Sequence, residues 1–172
     1  MVTIRAEISS EVAAREALLH RGFGPARFRK TSEKLRAGRV AALAFTAVND
    51  KGKVIGTIRL WNIIAGSAGP SLLLGPLAVD SAVQGKGLGA ALMNHAIAAA
   101  KADGHDSILL VGDAPYYQRF GFSQKLTRSL HLPGPVDRAR FLALELTEQA
   151  LDGAEGLIAA SGALVEALQV AA

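Results

Sequence analysis

The segment from Ser71 to Gly112 narrows the choice of fold more than any other part of the chain. An apolar run, SLLLGPLAV (71–79), leads into a loop where Gly85, Gly87 and Gly89 crowd around Lys86. An alanine-rich run follows as far as Asp103, and DSILLVG (106–112) closes the segment. Neither apolar run alternates with polar residues, so each reads as a strand covered on both faces. Between them Leu88, Leu92, His95 and Ala99 recur at helical spacing, with Ala91 and Ala96 beside them. That spacing predicts a helix over 87–103, ended by Gly104. Strand, helix and strand in succession make a βαβ unit with parallel strands, and so an α/β fold. Gly75-Pro76 interrupts the first strand. Proline has no N–H for a ladder, so a bulge or a splayed strand is expected there.

The glycines need a reason, because each costs about 1 kcal/mol relative to alanine in a helix. The first N–H groups of a helix lack intrahelical partners and sit at the positive end of its dipole. Glycine lets a bulky anion come up to those groups with no Cβ in the way, and Lys86 adds a charge. The loop therefore reads as a phosphate cradle, best suited to a pyrophosphate. A Walker A loop is excluded, since Lys86 is followed by Gly87 rather than Ser or Thr. The Rossmann spacing GxGxxG is not met either, because residue 90 is Ala.

The remaining elements are read more coarsely. VTIRAEI (2–8) alternates as a short strand, and Ser9 or Ser10 is placed to cap a helix over 11–19 with Val12, Leu18 and Leu19 on one face. A second helix is read over 26–36. VAALAFTAV (40–48) and KVIGTIRLWNI (53–63) form a hairpin about the turn Asn49-Asp50-Lys51-Gly52. APYYQRFGF (114–122) reads as one or two helical turns, and ARFLALEL (139–146) as a strand after Pro133-Gly134-Pro135. The tail, 151–172, adds a strand at 157–160 and a short helix. There is no internal repeat and no linker, which makes residues 1–172 one domain.

The chain has no cysteine, which removes disulfides, thiolate metal sites and a cysteine nucleophile. Its four histidines are scattered without metal-ligand spacing, so no metal is expected. The longest uncharged stretch, 60–79, carries Trp, Asn, Ser, Gly and Pro, a poor composition for a membrane helix. With no apolar signal core at the N-terminus, a cytoplasmic protein with no membrane partner is expected. Net charge is +4, and basic residues concentrate at Arg15, Arg21, Arg27, Arg29, Lys30, Lys34, Arg36 and Arg39. Such a run is either a patch for an acidic partner or a solvated helical face, the commoner arrangement. No aromatic stacking pattern accompanies it, which disfavours nucleic acid.

Gln84-Gly85-Lys86-Gly87-Leu88-Gly89, directly after a strand ending Leu77-Ala78-Val79, matches Q/R-x-x-G-x-G/A. It resembles the coenzyme A motif of the GNAT superfamily of N-acetyltransferases. Tyr116-Tyr117-Gln118-Arg119-Phe120-Gly121-Phe122 resembles that family's second motif, an aromatic residue followed by Tyr-x-x-x-Gly-Phe. The likeness is strongest over 71–122, and FLALEL and LDGAEG in the tail look like a subgroup of small bacterial predicted acetyltransferases. It departs from the pattern twice. Asp80-Ser81 stands where relatives often carry proline, and Asp113 is nearest to the place of an asparagine that many relatives turn to the cofactor.

The resemblance implies a mixed, splayed β-sheet of six or seven strands flanked by helices on both faces. It also implies acetyl-CoA as acetyl donor. Backbone groups around Leu77, Ala78 and Val79 would take the pantetheine arm, and Gln84, Gly85, Lys86, Gly87, Leu88 and Gly89 the pyrophosphate. Tyr117 would protonate the departing thiolate, with Tyr116 as packing. For the general base Asp113, His131, Glu145 and a water chain stay open, although Asp113 also suits a helix N-cap. The acceptor would be a small-molecule, peptide or protein amine attacking directly in a ternary complex, and a homodimer is allowed. The alternative is a non-catalytic acyl-CoA sensor or regulatory domain.

Overall fold

The computed structural model describes residues 1–166. Eight strands form the sheet: β1 (Val2–Ala6), β2 (Leu43–Asn49), β3 (Val54–Ala65), β4 (Pro70–Val79), β5 (Ser107–Val111), β6 (Ser129–His131), β7 (Phe141–Glu145) and β8 (Glu155–Ala160). The helices are α1 (Val12–Phe23), α2 (Glu33–Arg36), α3 (Leu88–Ala102) and α4 (Ala114–Gln118). The main path runs β1-β2-β3-β4-β5-β7, while β8 pairs with the end of β3 and β6 pairs with β8. Six or seven strands were expected. The eighth is β6, three residues whose partner lies some 26 positions away at Glu155–Leu157, too short for any local pattern to mark.

The core explains why β4 and β5 are apolar throughout. Leu72, Leu74, Ile108, Leu110 and Leu142 face α3, where Leu92, Met93, Ala96 and Ala100 are fully buried. Leu73, Leu109, Phe141 and Ala143 point to the other face, against Trp61 and Leu35 of α2. Strict alternation of side chains across the sheet thus serves two cores, one on each face. Helix α1 covers the edge of that second face with Leu18 and Leu19 on Val48, Val54 and Ala78.

Near the N-terminus the local reading needs correcting. Neither Ser9 nor Ser10 caps α1. A 3-10 turn spans Ser9–Glu11, and the Glu11 carboxylate reaches back to accept the Ile8 N–H at 3.1 Å. Val12 is 41% exposed; Arg15 takes its place on the buried face. The helix read over 26–36 is broken into a 3-10 turn, Pro25–Arg29, and the single turn α2. The short helix read in the tail lies outside the described residues.

The interruption at Gly75-Pro76 is both a bulge and a splay. Ile58 pairs with Leu77 and Leu60 with Leu74, so Arg59 alone faces the two residues Gly75 and Pro76. The Trp61 indole N–H donates to the Gly75 carbonyl at 2.6 Å, which pins the bulge from the α2 face. On its other edge β4 is parallel to β5 only at Leu72–Ile108 and Leu73–Leu109. Beyond Leu73 the two strands part, and the β5-facing edge of Leu74–Val79 has no strand partner.

Candidate active site

At the C-terminal end of β4, Asp80 accepts the Ala82 N–H at 3.0 Å and receives Lys53 at 2.9 Å, which turns the chain toward α3. Those two contacts hold the Asp80 carboxyl below the usual carboxylate range. Gly85 and Gly87 have φ of 77° and 82°, left-handed values that side-chain-bearing residues adopt only under strain. Gly87 is the residue before α3, and its carbonyl accepts the Ala91 N–H at 3.0 Å. The N–H groups of Leu88, Gly89 and Ala90 are thereby left for another acceptor. They open into a cavity of about 390 Å³. Gly89 is needed for closeness rather than for its φ, since a Cβ there would stand 3.0 Å from the Tyr116 hydroxyl.

Two expected details of this loop change. Lys86 is exposed and does not line the cavity; the cation that lines it is Arg119 of the second motif, whose guanidinium lies 5.3 Å from the Tyr116 ring. The Gln84 side chain donates to the Val79 carbonyl at 3.2 Å, so that carbonyl already has a partner, while Leu77 and Ala78 lie on the unpaired edge of β4. Tyr116, read as packing, brings its hydroxyl beside Gly89.

Asp113 is the N-cap of α4, accepting the Tyr116 N–H at 3.3 Å, as its position before Ala114-Pro115 suggested. Helix α4 lays the Tyr117 ring directly on Gly112, the residue that follows β5. A Cβ on Gly112 would lie only 2.3 Å from the ring. Tyr116 and Phe122 meet the Tyr117 ring edge-on, at 5.0 and 6.2 Å between centroids. Burial, first, and then the neighbouring Tyr116 and Asp113 push the Tyr117 hydroxyl up to about 12, with Arg140 opposing. The phenol is therefore neutral wherever the protein is assayed. Its neutral form is favoured by folding, and that contribution holds below the ordinary tyrosine value of about 10 and is lost as pH rises toward 12. We expect pH–rate profiles to show no fall from Tyr117 ionisation below about pH 11. An alkaline midpoint near pH 9 that vanishes in Tyr117→Phe would contradict this.

Tyr117 borders a second, larger cleft of about 790 Å³ on the α1/α2 face, where β4 and β5 part. Tyr116 lines both this cleft and the α3 cavity and so stands between the two. The other candidate bases lie elsewhere. His131 is exposed on β6 and lies outside the cleft. Glu145 pairs with Ser107 at the opposite end of β5 and accepts the Leu151 N–H at 2.9 Å. Asp113 alone of the three lines the cleft. Among the described residues no cluster of His, Cys, Asp or Glu is arranged to hold a metal, and no helix is long and apolar enough to cross a membrane.

The early basic run is solvated only in part: Arg21, Arg29, Lys30 and Lys34 are exposed. Arg15 and Arg36 are buried, at 7% and 9% exposure. Arg15 pairs with Glu7 and Glu16, Arg27 with Glu16, and Arg36 with Glu33 at 2.7 Å. The break into short turns folds this segment over the cleft, where Thr31 donates to the Pro135 carbonyl and Lys34 to that of Pro133 at 3.0 Å.

A splayed parallel pair, a glycine cradle at the following helix and a tyrosine at the strand end define an acyl-CoA-dependent acyltransferase fold. The comparisons agree. Residues 41–124 match the acetyltransferase (GNAT) domain family. The chain is 30% identical over 156 residues to the uncharacterized N-acetyltransferase YhbS of Escherichia coli, which spans 90% of this chain and 93% of that protein. The crystal structure of E. coli YhbS in complex with CoA superposes with a TM-score of 0.80 at 28% identity, covering 93% of this chain and 89% of that one. A GNAT family acetyltransferase from Brucella melitensis, solved with acetyl-CoA, gives 0.69 at 27% identity and covers 94% and 96% of the two chains. The chain belongs to the GNAT family of N-acetyltransferases.

Proposed function

We propose that the protein transfers an acetyl group from acetyl-CoA to an amine by direct attack in a ternary complex. The observation that carries this reading is Tyr116, whose side chain borders both the anion cradle and the splay cleft. The relatives solved with CoA and with acetyl-CoA support it. The free N–H groups of Leu88, Gly89 and Ala90, with Gly85 and Gly87 shaping the approach and Arg119 alongside, hold the pyrophosphate. The unpaired edge of β4 at Leu77 and Ala78 offers backbone groups to the amides of the pantetheine arm, which lies as a further strand between β4 and β5. The thioester then sits near the bulge, beside Tyr117.

The neutral amine nitrogen forms a bond to the thioester carbonyl carbon, and the carbon–sulfur bond breaks. A backbone N–H of β4 near the bulge supports the charge that gathers on the carbonyl oxygen. The sulfur leaves with its electron pair and takes the Tyr117 proton. The nitrogen gives up its extra proton to water or to Asp113 at the cleft mouth, and Tyr117 is reprotonated from solvent. The products are the N-acetyl amine and CoA thiol. With no cysteine in the chain, no acyl-cysteine intermediate forms.

Free-thiol release from acetyl-CoA across a panel of amines, amino acids and peptides tests this. We expect amine-dependent release with intersecting double-reciprocal lines. Parallel lines would point to an acyl-enzyme. Tight CoA binding with no release for any amine would instead make the protein an acyl-CoA sensor.

A further inference from the structure

The cleft that borders Tyr117 is lined by seven cationic side chains and only four carboxylates, and every one of those carboxylates is engaged within the protein. Glu16 is held by Arg15 and Arg27, and Glu33 by Arg36. Asp113 accepts the Tyr116 N–H and Asp137 the Ala139 N–H, each capping a turn. Lys30 and Arg140, by contrast, have no carboxylate within ion-pair distance among the described residues.

These cations converge from distant parts of the chain. The Arg140 carbonyl accepts the Gly112 N–H at 2.9 Å, which seats Arg140 directly beside the glycine that carries the Tyr117 ring. Arg36 spends its Nε on Glu33, while its Nη1 lies 3.5 Å from the Cβ position of Gly75, at the bulge where the strands part. Lys30 stands just ahead of α2, in the segment strapped to loop 133–135. Burial, and then the charges of Arg36 and Arg140, hold Lys30 below the usual lysine range, as expected of three cations that feel one another. Of the three, Arg36 is partly neutralised by Glu33, while Lys30 and Arg140 carry charges that no acid of the described residues balances, an arrangement that favours an anion in the cleft.

We propose that Lys30, Arg36 and Arg140 form an acceptor subsite for an anionic group, so that the substrate is a small amine carrying a carboxylate or a phosphate. This rests on the acyl-transfer reading above. The anion docks between the three cations, and the amine end points past Arg140 toward Tyr117 and the bulge. The same field excludes polyamines, whose added positive charge the cleft repels.

Two matched pairs test it and separate the two anions: phenylalanine against phenylalaninamide, and glucosamine 6-phosphate against glucosamine. The readout is the ratio of kcat/KM for the anionic member over its neutral partner. We expect that ratio to exceed about tenfold for one pair in the wild type, and to fall by about tenfold in Lys30→Ala and in Arg140→Ala, in line with loss of one charge-assisted contact. Lys101→Ala, a surface cation at the end of α3, should leave the ratio as it is. A ratio near one for both pairs in the wild type overturns the proposal and leaves acyl transfer standing. So does a loss of CoA affinity in the two variants by calorimetry, which would assign the cations to the donor, or a preference of the wild type for a dicarboxylic acyl-CoA that they abolish. Should no amine be acetylated, calorimetry of the CoA-loaded protein with inorganic phosphate decides. Binding that Lys30→Ala and Arg140→Ala remove keeps the anion site and sinks the acyl-transfer reading; no binding sinks both.

Discussion

Tyr117→Phe should lower kcat by about 10²-fold or somewhat less, with little change in acetyl-CoA affinity. The substitution keeps the ring on Gly112 and against Phe122 and removes only the hydroxyl. The loss is bounded because a thiol of pKa about 8.5 is already a fair leaving group, so proton donation to it matters less than to an alkoxide. Gly112→Ala should be as damaging to kcat by a different route. Its methyl group would lie 2.3 Å from the ring, so Tyr117 must swing away from the strand end. That overpacking should also cost about 1–3 kcal/mol of stability, readable as a shift in urea midpoint. Tyr116→Phe separates the two tyrosines. Its hydroxyl faces Gly89, so the change should raise the acetyl-CoA KM and spare kcat. If Tyr116→Phe loses kcat while Tyr117→Phe keeps it, the acid has been assigned to the wrong ring. If neither changes kcat with an amine that turns over, solvent protonates the thiolate.

Gly89→Asp should weaken acetyl-CoA binding by about 10²-fold or more, because a carboxylate would be set among the N–H groups proposed to hold the pyrophosphate, where like charges cost several kcal/mol. The added side chain also starts 3.0 Å from the Tyr116 hydroxyl. Gly87→Val should lose about tenfold, since a residue with a Cβ at a φ of 82° carries about 1–2 kcal/mol of strain. Lys86→Ala should do less than either, and less than Arg119→Ala, because Lys86 is exposed and does not line the cavity. Calorimetry with CoA measures all four. Unchanged affinity in both glycine variants would remove the loop from the donor site.

What could be read in the chain beforehand follows how local each signal is. The unit β4–α3–β5 was legible because its periodicity, its glycines and its missing alternation all lie within one continuous segment. The bulge was legible too, because one proline at a central strand position forces it. Strand β6 was not, for its only support is a partner outside hairpin range. The cradle could be placed on residues 84–89, but Arg119 could not be preferred over Lys86, since which cation turns inward depends on where α4 docks. Gly112 looked like an ordinary strand end; only the ring lying on it gives it a role. The basic run was legible only in part. Arg15 is buried against Glu7 from outside its helix and Arg36 against Glu33 of its own, and nothing near residue 36 announces Arg140.

The seam between β4 and β5 has a further consequence for how the molecule holds together. Two ladder pairs, Leu72–Ile108 and Leu73–Leu109, join the halves of the sheet across this line. Behind them the Ser71 hydroxyl lies 2.7 Å from that of Ser107 and 3.1 Å from its carbonyl, fully out of water. The sheet is a clothes-peg: pinned at one end by a buried serine pair, sprung open at the other. On the binding mode proposed above, a donor lying in the gap would supply the cross-strand bonds that the polypeptide itself does not make, and so complete the sheet as much as occupy it. Backbone amides along Leu74–Val79 then report occupancy in hydrogen exchange, while those at Leu72 and Leu73 report only global unfolding. The gap that admits chemistry is in this sense also the place where ligand and fold share one set of hydrogen bonds.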